Sequence, residues 1–186
     1  HGTAVLSTMS LIKSVEIIGT APNASYWLLR SEYAPTETIS EEYNWLAAAE
    51  FADSAGADII NSSLGYTTFD NPAEDHTYAD MDGNTTIITK AADLAFSKGI
   101  LVVNSAGNSG SETWHYIGAP ADGKNVLSIG AVYHDGSCAS FSSRGPTYDG
   151  RIKQNVTTIG KNSAIVNTDG NVVYGSGTSF SSPEMA

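Results

Sequence analysis

The chain has 186 residues, of which 41% are hydrophobic, and a formal net charge of −11 at pH 7. This length and hydrophobic content suffice for one sizeable core and give no sign of two domains. Nine lysines and arginines are too few to neutralise a nucleic-acid backbone, and no apolar run of about 18 residues is present to span a bilayer. We therefore expect one domain that binds no nucleic acid and has no membrane segment.

The first predicted elements are two short strands separated by a helix. The strands are predicted at 24–29 and 58–63, where apolar residues cluster. Between them, residues 41–55 have helical composition, with apolar positions at helical spacing, and Gly56 is expected to end the helix.

The pattern then repeats with a second helix and two further strands. Residues 86–98 carry an apolar stripe at helical spacing, with Thr85 or Asn84 as the expected cap. The runs 100–104 and 126–132 are almost continuously apolar, which is typical of strands covered on both faces by helices.

The last predicted element is a hairpin over 165–174 around Asp169 and Gly170, a dipeptide typical of two-residue turns. The alternation of strands and helices predicts an α/β fold with a mostly parallel central sheet. In such a sheet, binding sites form at the carboxyl ends of the strands.

Three short motifs contain the groups that a serine nucleophile requires. Ser179 lies in GTSFSSP (177–183), where a Gly-Thr turn is expected to open a helix with Pro183 in its first turn. A reactive serine also needs a base and donors for the developing oxyanion. His1 could supply the imidazole, and Asn108 could supply a side-chain amide. Taken alone, a terminal histidine is usually solvated and an asparagine beside glycines is usually a turn residue.

The motifs HGT, AGNSG and GTSFSSP, in this order along the whole chain, resemble the subtilisin-like serine proteases (subtilases, peptidase family S8). The resemblance implies a three-layer α/β/α fold and a serine endopeptidase that uses a Ser-His-Asp acyl-enzyme mechanism. Ser179 would attack the peptide bond, His1 would transfer the proton, and Asn108 with the Ser179 backbone N–H would hold the oxyanion.

In that family the triad aspartate lies on a strand before the histidine motif, and a longer helix follows the serine motif. On this resemblance we expect 1–186 to be a partial catalytic domain, incomplete at both ends. Its partners would include upstream and downstream parts of the same chain. Without the aspartate it would be weakly active or inactive, because the tautomer of His1 would not be fixed.

The resemblance also implies residues that bind a peptide or protein substrate in extended conformation. The segment Ser63, Leu64 and Gly65 would pair with the substrate backbone by strand addition, although the tripeptide alone is typical of a turn. The other expected contacts are Ser105, Ala106, Gly107 and Gly118. Small residues at Gly107, Gly118, Ala119 and Pro120 predict an open pocket for an apolar side chain.

Two alternatives remain open from the sequence. One is a pseudoprotease or peptide-binding module that uses the same groove; residues 153–160, KQNVTTIG, lack two prolines of the family pattern, as a degenerating protease would. The other is a sedolisin-like acid peptidase, which shares the Gly-Thr-Ser turn. His1 and Asn108 argue against it, because that class has a glutamate and a further acid in their places.

We expect no cofactor and no metal ligand set, with calcium left open as an alternative. The segment 80–84, DMDGN, resembles the start of a calcium loop, and calcium is common in the family, but no glutamate closes a twelve-residue loop. A helix entry with acidic residues is the simpler interpretation. Cys138 is expected to be a small buried residue, and His76, His115 and His134 to lie at the surface. By resemblance alone, the protein is expected to act outside the cytoplasm, secreted or periplasmic.

Overall fold

A four-stranded parallel sheet forms the centre of the computed structural model, which describes residues 1–13 and 17–186. In spatial order its strands are β3 (Ile59–Ser62), β4 (Leu101–Ser105), β5 (Leu127–Val132) and β6 (Val156–Ile159). All three pairings are parallel, so the carboxyl ends of the strands lie along one edge of the sheet.

Four α-helices cover the two faces of this sheet: α1 (Gly2–Ser10), α2 (Ser40–Ala55), α3 (Ile87–Ser97) and α4 (Thr178–Met185). Helices α2 and α3 pack on each other, and α3 packs on β4. Helix α4 contacts all four strands, and α1 packs against α4. The predicted three-layer α/β/α arrangement is confirmed. Among the described residues, no helix is long and apolar enough to cross a membrane.

Two small antiparallel sheets accompany the central one. Strands β7 (Ser163–Val166) and β8 (Val172–Gly175) form the predicted hairpin. Strands β1 (Ile12–Lys13) and β2 (Ile17–Ile18) also pair, which the sequence pattern did not indicate.

Apolar burial explains the position of α3. Ile88, Ala91, Ala92 and Ala95 form its buried stripe and belong to the main core cluster. The helix cap is Thr86, whose hydroxyl accepts a hydrogen bond from Thr89 N at 3.3 Å. The expected cap, Thr85 or Asn84, was wrong by one or two residues. The Thr85 hydroxyl instead donates to the Asp82 carboxylate in the preceding turn.

One strand prediction was wrong, and one strand was missed. Residues 24–29 form no strand: Trp27 and Leu28 are 64% and 71% exposed, and Trp27 packs edge-on against Phe51 of α2. Strand β6 was missed because its VTTI sequence occupies the edge of the described sheet, where one side of the strand has no partner and polar threonines are tolerated.

Predictions for Cys138 and two of the histidines also need correction. Cys138 is exposed, since it closes a surface turn in which Tyr133 N donates to Ser137 O. His76 is largely buried against Glu42, a residue 34 positions away that local composition cannot reveal. His115 is half-buried with its ring beside Gly110 O, whereas His134 is exposed as expected.

A buried carboxylate joins the starts of α2 and α3. Glu42 is fully buried, and its Oε2 accepts hydrogen bonds from Ile87 N at 3.0 Å and Ile88 N at 3.1 Å. Its Oε1 lies 2.5 Å from His76 Nε2. The negative charge therefore lies at the positive end of α3, where unpaired backbone N–H groups need acceptors.

We expect Glu42→Ala to lower the free energy of unfolding by about 3 kcal/mol, because it leaves two buried N–H groups and His76 without their partner. Denaturant unfolding followed by circular dichroism measures this change. Glu50→Ala, at an exposed position of the same helix, is the control and should change stability by less than about 0.5 kcal/mol. Equal effects in the two variants would contradict this role.

Candidate active site

Segments distant in sequence meet in one cavity at the carboxyl edge of the sheet. The cavity has a volume of about 160 Å³ and lies between the ends of β3 and β4 and the start of α4. Its lining includes nine residues singled out from the sequence: Ser63, Leu64, Gly65, Ser105, Ala106, Gly107, Asn108, Gly118 and Ser179. Parallel strand ends thus bring together most of the expected site, although the roles of these residues stay predictions.

The start of α4 is fixed by close backbone packing. Gly177 N donates to Gly160 O at 2.8 Å, which holds the turn before the helix against the end of β6. A Cβ atom at Gly160 would lie 2.6 Å from Ala131 Cβ and would also collide with the Ser181 hydroxyl. Glycine is therefore required at position 160 for the helix to approach the sheet this closely.

Asn108 is held by its side-chain carbonyl. Asn108 Oδ1 accepts hydrogen bonds from Thr178 N at 2.9 Å and from Thr178 Oγ1 at 3.1 Å, and that hydroxyl accepts one from Gly107 N at 3.2 Å. The hydrogen-bond network thus fixes which amide atom is the oxygen. Asn108 Nδ2 makes no hydrogen bond within the described part of the chain, so it remains a donor at the cavity.

Ser179 occupies the first turn of α4, with its side chain half-buried. Its hydroxyl has no hydrogen-bond partner among the described residues. Pro183 lies inside the helix, not in its first turn as expected, and it has no N–H to donate to the carbonyl four residues earlier. That carbonyl belongs to Ser179, and it accepts from Ser63 Oγ at 2.9 Å instead. Because Pro183 cannot donate to it, the Ser179 carbonyl is free to bind the end of β3.

Helices α1 and α4 lie side by side and run in the same direction. Near their starts, Val5 and Phe180 belong to one apolar cluster. About one turn later, Thr20 connects them, because Thr20 N donates to Thr8 O and Thr20 Oγ1 donates to Pro183 O. The N-terminal ends of the two helices therefore face the same side of the molecule.

His1 is the N-cap residue of α1 and is exposed. The parallel packing of α1 and α4 positions His1 on the side of the molecule where Ser179 begins its helix. Among the described residues, however, the His1 ring makes no hydrogen bond with Ser179 and does not line the cavity. Its role as general base stays a prediction.

Of the four small residues expected to line the pocket, Gly107 and Gly118 do so, whereas Ala119 and Pro120 do not. Gly107 has a φ of 104° and a Cβ there would lie 2.9 Å from Ser143 Oγ, so this position requires glycine. Ala119 and Pro120 are buried and do not line this cavity; Ala119 instead pairs its backbone with Tyr66.

Several residues around the site were missed by the sequence reasoning. They are the cavity-lining Thr67, Ser109, Trp114, Tyr116 and Ser143, together with Thr178. Thr178 could have been found, since it lies inside the serine motif. The two aromatic residues occupy an irregular segment without periodicity and gave no signal.

The segment 80–84 behaves as a pair of turns in this structure. The Asp80 carboxylate accepts from Thr77 N and Oγ1, at 2.6 and 2.7 Å. The Asp82 carboxylate accepts from Asn84 N and Thr85 Oγ1, at 2.7 and 3.0 Å. These carboxylates stabilise turns before the helix, and the first turn of α3 contains no acidic residue, so the expected acidic helix entry was wrong. Calcium binding by this segment stays untested.

A family comparison agrees with this geometry. The model of the subtilase family, Peptidase_S8, matches residues 1–186. The chain belongs to the subtilase family. Among curated proteins, subtilisin E of Bacillus subtilis (strain 168) is 32% identical over 191 residues, covering 100% of this chain and 43% of the relative. The thermophilic serine proteinase of Bacillus sp. (strain AK1) is also 32% identical, covering 100% of this chain and 40% of the relative.

Solved structures give the same fold. The self-cleaved protease domain of PatA superposes with a TM-score of 0.78 at 26% identity, covering 98% of this chain and 62% of that one. The patellamide maturation protease PatA has a TM-score of 0.79 at 27% identity, with coverages of 98% and 61%. This subtilase chain therefore spans less than half the length of the two curated relatives named and about three fifths of these structures.

We expect Thr178→Val to lower the free energy of unfolding by about 1–3 kcal/mol. The variant keeps the shape of the buried side chain, but Gly107 N loses its acceptor and Asn108 Oδ1 loses one donor. Chemical unfolding measures the loss, and Thr168→Val at an exposed position should stay within about 0.5 kcal/mol of the parent. Equal stability of the two variants would show that this contact does not hold the site together.

Proposed function

We propose that this subtilase chain carries the nucleophile, base and oxyanion donors of a serine endopeptidase. The observation that supports it most is the fixed amide of Asn108. Its oxygen is bonded to Thr178 at the start of the serine helix, which leaves Nδ2 as a free donor beside Ser179. A donor held in advance stabilises a developing oxyanion without reorganisation.

The proposed reaction is acyl transfer. Ser179 Oγ attacks the carbonyl carbon of a peptide bond while its proton passes to the His1 ring, and the negative oxygen is held by Asn108 Nδ2 and the Ser179 N–H. The protonated imidazole then gives its proton to the departing amine. Water, deprotonated by His1, releases the acyl group and restores the Ser179 hydroxyl.

The proposed substrate is a peptide or protein segment in extended conformation. Strand β3 forms one edge of the described sheet, and Ser63 to Gly65 continue it along the cavity. Unpaired backbone groups at such an edge can pair with an added strand. Within the described part of the chain, the cavity wall contains no acidic or basic side chain. It includes Trp114 and Tyr116, so the pocket favours apolar side chains.

We also propose how active residues 1–186 are and where the whole protein acts. Because no carboxylate among the described residues contacts the His1 ring, we expect residues 1–186 alone to hydrolyse peptides weakly or not at all. A lost orienting carboxylate reduces turnover about 10⁴-fold in triad enzymes. The subtilisin relatives favour an extracytoplasmic location, secreted or periplasmic.

A fluorophosphonate probe tests the nucleophile in the full-length protein. We expect labelling of Ser179, located by mass spectrometry, and its complete loss in Ser179→Ala. The control is Ser176→Ala, which removes an exposed serine three positions earlier and should label normally. If the folded parent protein is not labelled but still binds unstructured peptides, the protease proposal is overturned. The peptide-binding pseudoprotease is then favoured.

Substitution of Asn108 tests the oxyanion donor separately from the fold. Asn108→Asp keeps the oxygen that accepts from Thr178 but removes the Nδ2 donor, so the protein should fold and kcat should fall at least about 100- to 1000-fold. That range is known for loss of one such donor in a subtilisin. Steady-state kinetics on a peptide substrate and thermal melting measure both effects. A parent-like kcat would exclude Asn108 from the reaction.

A further inference from the structure

Three carboxylates form a cluster where the loop before α2 meets the first turn of that helix. One carboxylate oxygen from each of Glu32, Glu37 and Glu41 lies within 4.8 Å of the other two. Glu32 and Glu37 are partly buried, whereas Glu41 is only 2% exposed. Among the described residues, no ion pair involves any of the three. Arg30, the basic residue nearest in sequence, donates its Nε to the Glu32 backbone carbonyl.

Glu41 carries an oxygen that the polypeptide leaves unsatisfied. Its Oε1 accepts from Tyr33 N at 2.9 Å, but its Oε2 is buried and has no hydrogen-bond partner in the described part of the chain. An unpaired carboxylate oxygen that is removed from water is strongly unfavourable. This oxygen is therefore available to a group that is not part of the chain.

The spacing of the three carboxylates points to the charge of that group. Like charges within 4.8 Å of one another repel, and burial weakens the screening by water. A cation among the three carboxylates would offset this repulsion, whereas protonation of one carboxyl would relieve it without a ligand. The experiment below distinguishes the two.

We propose that Glu32, Glu37 and Glu41 bind one calcium ion. Calcium binds carboxylate oxygens at about 2.3–2.6 Å, so two of its ligands can lie up to about 5 Å apart, which accommodates the observed spacing. Magnesium usually keeps several waters and binds only one or two protein carboxylates, so a site of three carboxylates suits calcium better. Backbone carbonyls and water would complete the usual six to eight ligands.

This site lies behind the wall of the catalytic cavity and not in it. None of the three glutamates lines the cavity. Glu32 accepts a hydrogen bond from the Tyr66 hydroxyl, and Tyr66 follows Gly65 and pairs its backbone with Ala119. A bound ion would therefore connect the loop before α2 to the segment that supports Ser63 to Gly65. Its role would be to stabilise that wall.

Terbium luminescence tests the site directly, because Tb³⁺ replaces Ca²⁺ at oxygen ligands and the adjacent Tyr66 can transfer excitation to it. We expect the protein to give Tyr-sensitised Tb³⁺ emission that Ca²⁺ displaces, and calorimetry to give a Ca²⁺ dissociation constant. Calcium should also raise the melting temperature. These readouts do not depend on protease activity, so they separate this proposal from the proposed function.

Two variants and two controls decide the location. Glu37→Gln and, independently, Glu32→Gln should each weaken Tb³⁺ and Ca²⁺ binding by about 10- to 100-fold, the scale known for disturbed metal sites. Glu50→Gln removes an exposed charge of α2, and Asp82→Asn removes a carboxylate of the segment 80–84; both should bind as the parent does. Parent-like binding in both glutamate variants, or loss of binding in Asp82→Asn, would overturn the site.

Discussion

The attachment of the serine helix to the end of β4 is the interaction on which the candidate site depends. Asn108 and Thr178 are 70 residues apart, yet the Asn108 carbonyl accepts from both the backbone and the hydroxyl of Thr178. This contact positions the serine motif relative to the cavity and at the same time orients the free amide. One pair of hydrogen bonds therefore couples the fold to the chemistry proposed for it.

The same helix is attached at a second point by a proline. An interior proline normally destabilises a helix because it leaves a carbonyl without its donor. Here the carbonyl belongs to Ser179, and Ser63 satisfies it from the end of β3. The carbonyl left without a donor inside the helix thus makes a tertiary contact between the serine motif and the segment proposed to bind substrate. The close approach at Gly160 attaches the start of the same helix to the end of β6.

Two neighbouring carboxylates are buried in this chain of net charge −11, and they differ in their hydrogen-bond partners. Glu42 is fully buried, but both of its carboxylate oxygens have partners, one at the start of α3 and the other at His76. Glu41, its neighbour in sequence, retains an oxygen without a partner and lies beside Glu32 and Glu37. The difference between a satisfied and an unsatisfied carboxylate is what distinguishes a structural contact from a proposed cation site.

The sequence by itself determined the elements whose apolar residues cluster or recur with a clear period. These are α2, α3, β3, β4, β5 and the hairpin of β7 and β8. It also determined the family, because motifs in GTSFSSP and SAGNSG need only local order to be recognised. These signals are properties of neighbouring residues, so they survive without knowledge of the fold.

The tertiary structure alone decided features that depend on a distant partner. Residues 24–29 look like a strand but pair with none in the described part of the chain, whereas β6, with two polar residues out of four, forms a strand because β5 lies beside it. His76 is buried by Glu42, and Cys138 is exposed by its turn. Burial and pairing are set by contacts between residues far apart in the chain, and no local pattern encodes them.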